Sequence, residues 1–116
     1  MPAVGPYTPV VRAGDLLVVS GQLGRTPDGD FVPGGVGGQT KAAIENIAAL
    51  LESEGATLAD VVKTTVLLAS IDDYAAVNEA YVEAFGEHRP ARSAFATGGL
   101  PLGALVEVEA WAYRPR

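Results

Sequence analysis

The order of hydrophobic and polar residues divides the chain into five extended segments and two helical segments. In chain order they are strands at 10–13 and 16–20, a helix at 39–54, a strand at 61–68, a helix that follows Asp72 or Asp73 and stops before Gly86, and strands at 92–97 and 105–113. The turn signal Gly14-Asp15 predicts that the first two strands form a hairpin. Apolar residues spaced by three and four predict that both helices are amphipathic.

The two C-terminal strands flank a glycine- and proline-rich stretch at 98–103, which predicts a second hairpin with a longer loop. The order of elements therefore predicts an α+β sandwich, in which one mixed sheet carries both helices on one face. We expect a single domain over residues 1–116, because a chain of this length builds one core.

The last strand has two different faces. Period two places small and branched residues on one of them, which suits closely packed helices: Val106, Val108, Ala110 and Ala112. The other face carries Glu107, Glu109, Trp111 and Tyr113, a mixture too apolar for water alone and too acidic for a dry core. We expect that face to form a subunit interface or a site.

The glycine-rich run at 34–38 is predicted to be a flexible approach to the first helix, within a turn-rich and mobile stretch at 25–38. A phosphate-binding loop would need Gly-Lys followed by Ser or Thr, whereas Gly38 is followed by Gln39, Thr40 and Lys41. The run also lacks the dinucleotide-binding register, so a nucleotide site is disfavoured.

Composition narrows the functional classes. The formal net charge of -6 disfavours binding to nucleic acid, since phosphate backbones would be repelled. The absence of cysteine excludes disulfide scaffolds, thiol nucleophiles and zinc-thiolate sites, and a single histidine excludes a histidine-rich metal centre. With neither a signal-peptide pattern nor a long apolar run, we expect a cytoplasmic protein without membrane association.

Two side chains are candidates for chemistry on local grounds. Arg92 lies among small and apolar residues, where a permanent charge needs an acidic partner. That partner is either Glu107 or Glu109 across the predicted hairpin, or the carboxylate of a ligand gripped by the guanidinium fork. His88 follows the second helix and is predicted to be a solvated loop residue.

Eight short motifs are spread over nearly the whole chain. They are Gly5-Pro6-Tyr7, Ser20-Gly21-Gln22, Gln39-Thr40 with Asn46-Ile47, the run 60–66, Val77-Asn78 with Tyr81, Pro90-Ala91-Arg92-Ser93, Leu100-Pro101 and the run 106–109. In this order they resemble the RidA family, also called YjgF or L-PSP. The resemblance implies a chorismate-mutase-like fold and a homotrimer, in which the sheets line a central barrel and three sites lie at subunit interfaces. It also implies hydrolytic deamination, without a cofactor, of 2-aminoacrylate and related 2-imino acids to 2-oxo acids and ammonia.

The resemblance also assigns roles to residues at matching positions. Arg92 is similar to the family's carboxylate-binding arginine and Glu107 to its water-associated glutamate. Four further positions match pocket residues: Tyr7, Ser20, Gly21 and Asn78. Such roles are chemically consistent, because imine hydrolysis needs a held substrate anion, a water and a group that moves protons.

The sequence departs from the family pattern around the same positions. The loop between Phe85 and Pro90 is short and has Arg89 where an aromatic residue is common, Ala94 stands two places after Arg92, and Arg25 adds a cation near the Ser-Gly-Gln motif. These changes predict a bulkier or doubly charged imino acid as substrate. The alternative functions are a non-enzymatic module that senses small carboxylates, a ribonuclease or translation inhibitor, which the charge disfavours, and a holdase.

Overall fold

A single mixed sheet of five strands organises the protein in the computed structural model, which describes residues 5–116. The elements in chain order are β1 (Val10–Ala13), β2 (Leu16–Leu23), α1 (Gly35–Glu52), β3 (Val61–Leu68), α2 (Tyr74–Phe85), β4 (Ala91–Ala96) and β5 (Val106–Tyr113). Short 3-10 turns occupy Leu58–Asp60, Ile71–Asp73 and Pro101–Gly103. The strands lie side by side in the order β1, β2, β5, β3, β4, which confirms the predicted α+β class.

The predicted hairpin between the last two strands is wrong. β3 lies between β4 and β5, parallel to β4 and antiparallel to β5. A helical crossover through α2 joins β3 to the parallel strand β4, as parallel neighbours require. Neighbouring strands are about 4.8 Å apart, so the nine-residue connection at 97–105 is long enough to pass β3 and reach its other side.

The face of the sheet that the helices cover forms the core. In β5 the four residues Val106, Val108, Ala110 and Ala112 are fully buried, as the period-two pattern predicts. On β3, Thr64 pairs with Ala110 and hydrogen-bonds to Tyr81 of α2, which places α2 over this same face. The small side chains of β5 let α1 lie close to the sheet and bury residues Ile44, Ile47 and Leu51.

The glycine-rich run is not a flexible loop, so that prediction is also wrong. α1 begins at Gly35, four residues earlier than the predicted start, and Gly34 before it adopts the left-handed conformation with a φ of 103°. At Gly38 a Cβ atom would lie 3.1 Å from the carbonyl carbon of Pro33. The absence of a side chain therefore lets the first turn of α1 pack against the backbone that enters it.

No helix within residues 5–116 has the length and apolarity needed to cross a bilayer. The cytoplasmic location stays a prediction.

Candidate functional site

The strand β2 is irregular where it passes β5. Its register with β5 shifts between Val19 and Gln22, so Ser20 and Gly21 form a β-bulge. A bulge inserts one residue into the ladder and re-aims the side chains around it. Beyond the bulge, Leu23 is paired with Glu107, which brings the bulge beside this acid.

Gly21 makes room for the carboxyl group of Glu107. A Cβ built on Gly21 would lie 2.8 Å from the carboxyl carbon of Glu107, well inside van der Waals contact. Glycine is therefore needed here because the carboxylate lies directly against the strand. The group that closely approaches the backbone at Gly21 is thus the Glu107 carboxyl group.

Ser20, Gly21 and Glu107 line a cleft of about 200 Å³. The rest of its lining consists of Tyr7, Leu23 and Pro101. The hydroxyl of Ser20 donates a hydrogen bond of 2.7 Å to the carbonyl of Thr8 and so ties the bulge to the segment before β1. The hydroxyl proton of Ser20 is engaged in that bond, so its oxygen can meet a further partner only as an acceptor.

The carboxyl group of Glu107 is half-buried. Burial raises its pKa above the ordinary value of a glutamate, and the negative charge of Glu109 raises it further. A carboxyl group with a raised pKa binds a proton more readily than an ordinary glutamate, which suits a group that accepts and returns a proton.

Arg92 lies on β4, at the opposite edge of the sheet from β1. One terminal nitrogen of its guanidinium donates a hydrogen bond of 3.1 Å to the hydroxyl of Tyr74. The guanidinium carbon lies 4.9 Å from the ring centroid of Tyr81 and 5.6 Å from that of Tyr74. Two tyrosines of α2 therefore hold this cation by hydrogen bonding and cation–π attraction.

No carboxylate within residues 5–116 forms an ion pair with Arg92. The predicted pairing with Glu107 or Glu109 is wrong, since β3 separates β4 from β5. Of the two partners that the sequence left open for Arg92, the carboxylate of a ligand stays a prediction.

Tyr81 anchors this arrangement. Its hydroxyl shares a buried hydrogen bond of 2.7 Å with the hydroxyl of Thr64 on β3. Burial raises the pKa of Tyr81, against the opposing effects of this bond and of the charges on Arg92 and Arg89. The phenol therefore stays neutral, and its ring is fixed against the sheet beneath Arg92.

A second cleft, of about 260 Å³, lies beside this cation. Its lining consists of Asn78, Tyr81, Val82, Arg89, Pro90 and Arg92. The side-chain oxygen of Asn78 is buried and has no hydrogen-bond partner within residues 5–116. A buried acceptor without a partner is uncommon in proteins and indicates a group that a ligand or a water satisfies.

The structure thus divides the predicted site residues into two groups. Tyr7, Ser20, Gly21 and Glu107 form the first cleft, and Asn78 and Arg92 form the second. Glu107 alternates with the core residues of β5, so it lies on the face of the sheet that the helices leave uncovered, here called the open face. Arg92 is paired with the buried Thr64 and lies on the face that the helices cover. The two groups therefore lie on opposite faces of the sheet.

The sequence did not identify Tyr74 and Tyr81 as site residues. Their helical spacing was the available signal, and it predicts an apolar face equally well. His88 is not the solvated residue that was predicted, because it is half-buried and its Nε2 lies 2.7 Å from the carbonyl oxygen of Val61. Arg25 donates through Nε to the carbonyl of Gly29 in its own loop and lines neither cleft.

The chain is similar to known proteins over most of its length. The family model described as Endoribonuclease L-PSP matches residues 1–114. A RutC family protein of Pyrococcus abyssi is 46% identical over 112 residues, which cover 96% of this chain and 88% of the relative. The 2-iminobutanoate/2-iminopropanoate deaminase of Capra hircus is 45% identical over 109 residues, which cover 93% and 80%. The crystal structure of RidA from the Antarctic bacterium Psychrobacter superposes with a TM-score of 0.91 at 39% identity, covering 97% of this chain and 91% of that one.

Proposed function

The chain belongs to the endoribonuclease L-PSP family, also called RidA or YjgF, and from this premise we propose that it hydrolyses 2-imino acids and their enamine tautomers, such as 2-aminoacrylate, to 2-oxo acids and ammonia. The observation that carries the proposal is Arg92, a cation held by Tyr74 and Tyr81 beside a cleft and without an internal carboxylate partner. Such an arginine is positioned to bind a small organic anion.

Arg92 binds the substrate carboxylate. A guanidinium can form two parallel hydrogen bonds to a carboxylate, and this fixes the orientation of the anion as well as its charge. Because Tyr74 and Tyr81 already hold the guanidinium, little side-chain freedom is lost when the substrate binds.

Asn78 lies in the same cleft and supplies an acceptor. Its buried side-chain oxygen is suited to the N–H group that every imine or enamine of this class carries next to its carboxylate. Arg92 and Asn78 together would bind the two ends of the reacting unit and leave the imine carbon open to attack.

The complete site is formed between subunits of a homotrimer. Arg92 and Glu107 lie on opposite faces of the sheet within one protomer, so joining them requires a second copy of the chain. The open face supports this assembly, since large aromatic side chains stay about half exposed there: Phe95 at 51%, Trp111 at 44% and Tyr113 at 51%. The resemblance described above implies the same trimer.

Glu107 acts on the attacking water as the general base and then as the general acid. The oxygen of a water molecule bonds to the carbon of the protonated imine, while one proton of that water passes to the Glu107 carboxylate. Glu107 then returns this proton to the nitrogen of the carbinolamine. The C–N bond breaks, ammonia leaves with the bonding electron pair, and the hydroxyl oxygen becomes the carbonyl of the 2-oxo acid as it releases its proton to solvent. An enamine first takes a proton at its terminal carbon to give the same imine.

The rate gain comes from position and electrostatics, since no covalent intermediate is needed. A carboxyl group that takes up and returns one proton is suited to both halves of this reaction, and the raised pKa of Glu107 favours the uptake of that proton.

Measuring the decay of freshly generated 2-iminopropionate tests the proposal. An amino-acid oxidase produces the imine, and the formation of the 2-oxo acid is followed with wild type, Arg92→Ala and Glu107→Gln. We expect wild type to accelerate the decay, Arg92→Ala to lose the acceleration while staying folded and trimeric, and Glu107→Gln to bind a carboxylate ligand normally but hydrolyse slowly.

The same experiment separates the alternatives. A sensing module would bind small carboxylates with saturation and leave the imine decay unchanged. If Arg92→Ala unfolds or dissociates, Arg92 has a structural role. Loss of both binding and turnover in Glu107→Gln would mean that this residue supports packing.

A further inference from the structure

We propose that Arg89 binds a second carboxylate of the substrate, so that the enzyme prefers 2-imino acids derived from dicarboxylic amino acids. This inference rests on the proposed function, since it concerns the same cleft and the same reaction. It begins from the lining of that cleft, which includes two arginines, Arg89 and Arg92, and no carboxylate.

The side chain of Arg89 is fixed near the end of α2. One of its terminal nitrogens donates hydrogen bonds to the carbonyl oxygens of Gly86 and His88, the latter at 3.0 Å. These bonds engage only one of the three guanidinium nitrogens. Within residues 5–116, Arg89 has no ion pair, so Nε and the other terminal nitrogen are available to an anion.

Arg89 and Arg92 act on one small region. Both charges are felt at the hydroxyl of Tyr81, whose pKa they lower against the effect of burial. Two positive charges that line one cleft repel each other, and a ligand with two negative charges reduces that repulsion. A monocarboxylate satisfies only one of them.

The two arginines differ in how they are held. Arg92 is half-buried between Tyr74 and the ring of Tyr81, whereas Arg89 is exposed at the rim of the cleft. We therefore assign the carboxylate next to the imine carbon to Arg92, where positioning affects the reaction. The side-chain carboxylate reaches Arg89, where it contributes to substrate choice.

This assignment narrows the expectation from the sequence. A bulkier or doubly charged substrate was expected from three departures from the family pattern, namely Arg89 before Pro90, Ala94, and Arg25 near the Ser-Gly-Gln motif. Of the two added cations, Arg25 binds the Gly29 carbonyl and does not line the cleft, whereas Arg89 does. The doubly charged substrate therefore rests on Arg89.

The test compares kcat/KM for two imines, one generated from alanine and one from glutamate by oxidases of matching specificity. Wild type, Arg89→Gln and Arg89→Lys are measured with Arg114→Gln as the matched control. Arg114 is also exposed, forms only a loose pair of 3.7 Å with Asp60, and its replacement removes the same charge. For each variant, the kcat/KM for the glutamate-derived (diacid) imine is divided by that for the alanine-derived (monoacid) imine. This ratio does not change when a variant merely contains less folded protein.

We expect wild type to favour the diacid imine and Arg89→Gln to lower the diacid-to-monoacid ratio about five- to tenfold, the range of one partly exposed charged contact. Arg89→Lys should retain part of the preference, and Arg114→Gln should leave the ratio unchanged.

An unchanged ratio in Arg89→Gln, with the monoacid still hydrolysed, would overturn this inference and leave the proposed function standing. Equal losses for both imines would show that Arg89 only supports the end of α2, which also overturns it. Absence of turnover for both imines in wild type would instead overturn the proposed function.

Discussion

Replacing Gly21 with alanine tests whether the position of Glu107 determines the reaction rate. The added Cβ would lie 2.8 Å from the carboxyl carbon of Glu107, and ordinary contact begins at 3.4 Å. The carboxyl oxygen Oε2 would lie closer still, so the carboxyl group must retreat by about 1.3 Å. Because it is the far end of a flexible side chain, it can do so without moving the backbone.

The expected consequence is a large loss of rate at little cost in stability. A misplacement of about 1 Å at a reacting group costs about 100-fold in rate, so we expect kcat for Gly21→Ala to fall by about 10- to 100-fold. The backbone of Gly21 has no positive φ, so alanine fits, and the unfolded chain loses entropy. The free energy of unfolding should stay within about 1 kcal/mol of wild type.

The assay is imine decay at saturating substrate, with thermal unfolding measured on the same preparations. Gly37→Ala is the control, since a Cβ at Gly37 meets no atom within 4 Å. It should hydrolyse the imine like wild type. If Gly21→Ala keeps the full rate, then the observed placement of Glu107 does not govern hydrolysis and the reasoning fails.

Three further outcomes can be measured with the same methods. Glu109→Gln removes a like charge and so lowers the pKa of Glu107; the acidic limb of the kcat/KM profile should move to lower pH, and an unmoved limb would exclude Glu107 as the titrating group. Tyr74→Phe removes the hydrogen bond to Arg92 but keeps the ring; KM should rise about fivefold with little change in kcat, whereas an unchanged KM would mean that the bond does not position the guanidinium. Gly38→Ala places a Cβ against rigid backbone and should lower the free energy of unfolding by about 1–3 kcal/mol, although alanine ordinarily stabilises a helix. Chemical denaturation measures this change, and a stabilised Gly38→Ala would show that the helix start can move aside.

Local patterns in the sequence were sufficient to predict the elements and their faces. The alternation in β5 correctly separated its core side from the side that carries Glu107, because a strand turns successive side chains to opposite faces whatever it is paired with. The helical spacing of α1 and α2 was equally reliable, since it depends only on the geometry of one turn. The short motifs identified the family because they retain the order and spacing of its residues.

Tertiary structure alone decided which elements are neighbours. No local signal shows that β3 enters between β4 and β5, because strand order depends on crossovers and on how the whole sheet twists and packs. The position of β3 between β4 and β5 excludes the predicted ion pair of Arg92. In the resulting sheet, Arg92 lies on the face opposite Glu107. The early start of α1 depends on the close packing of Gly38 against the Pro33 backbone, which a glycine-rich pattern does not reveal. The contacts of Tyr74 and Tyr81 with Arg92 likewise depend on how α2 packs against β4.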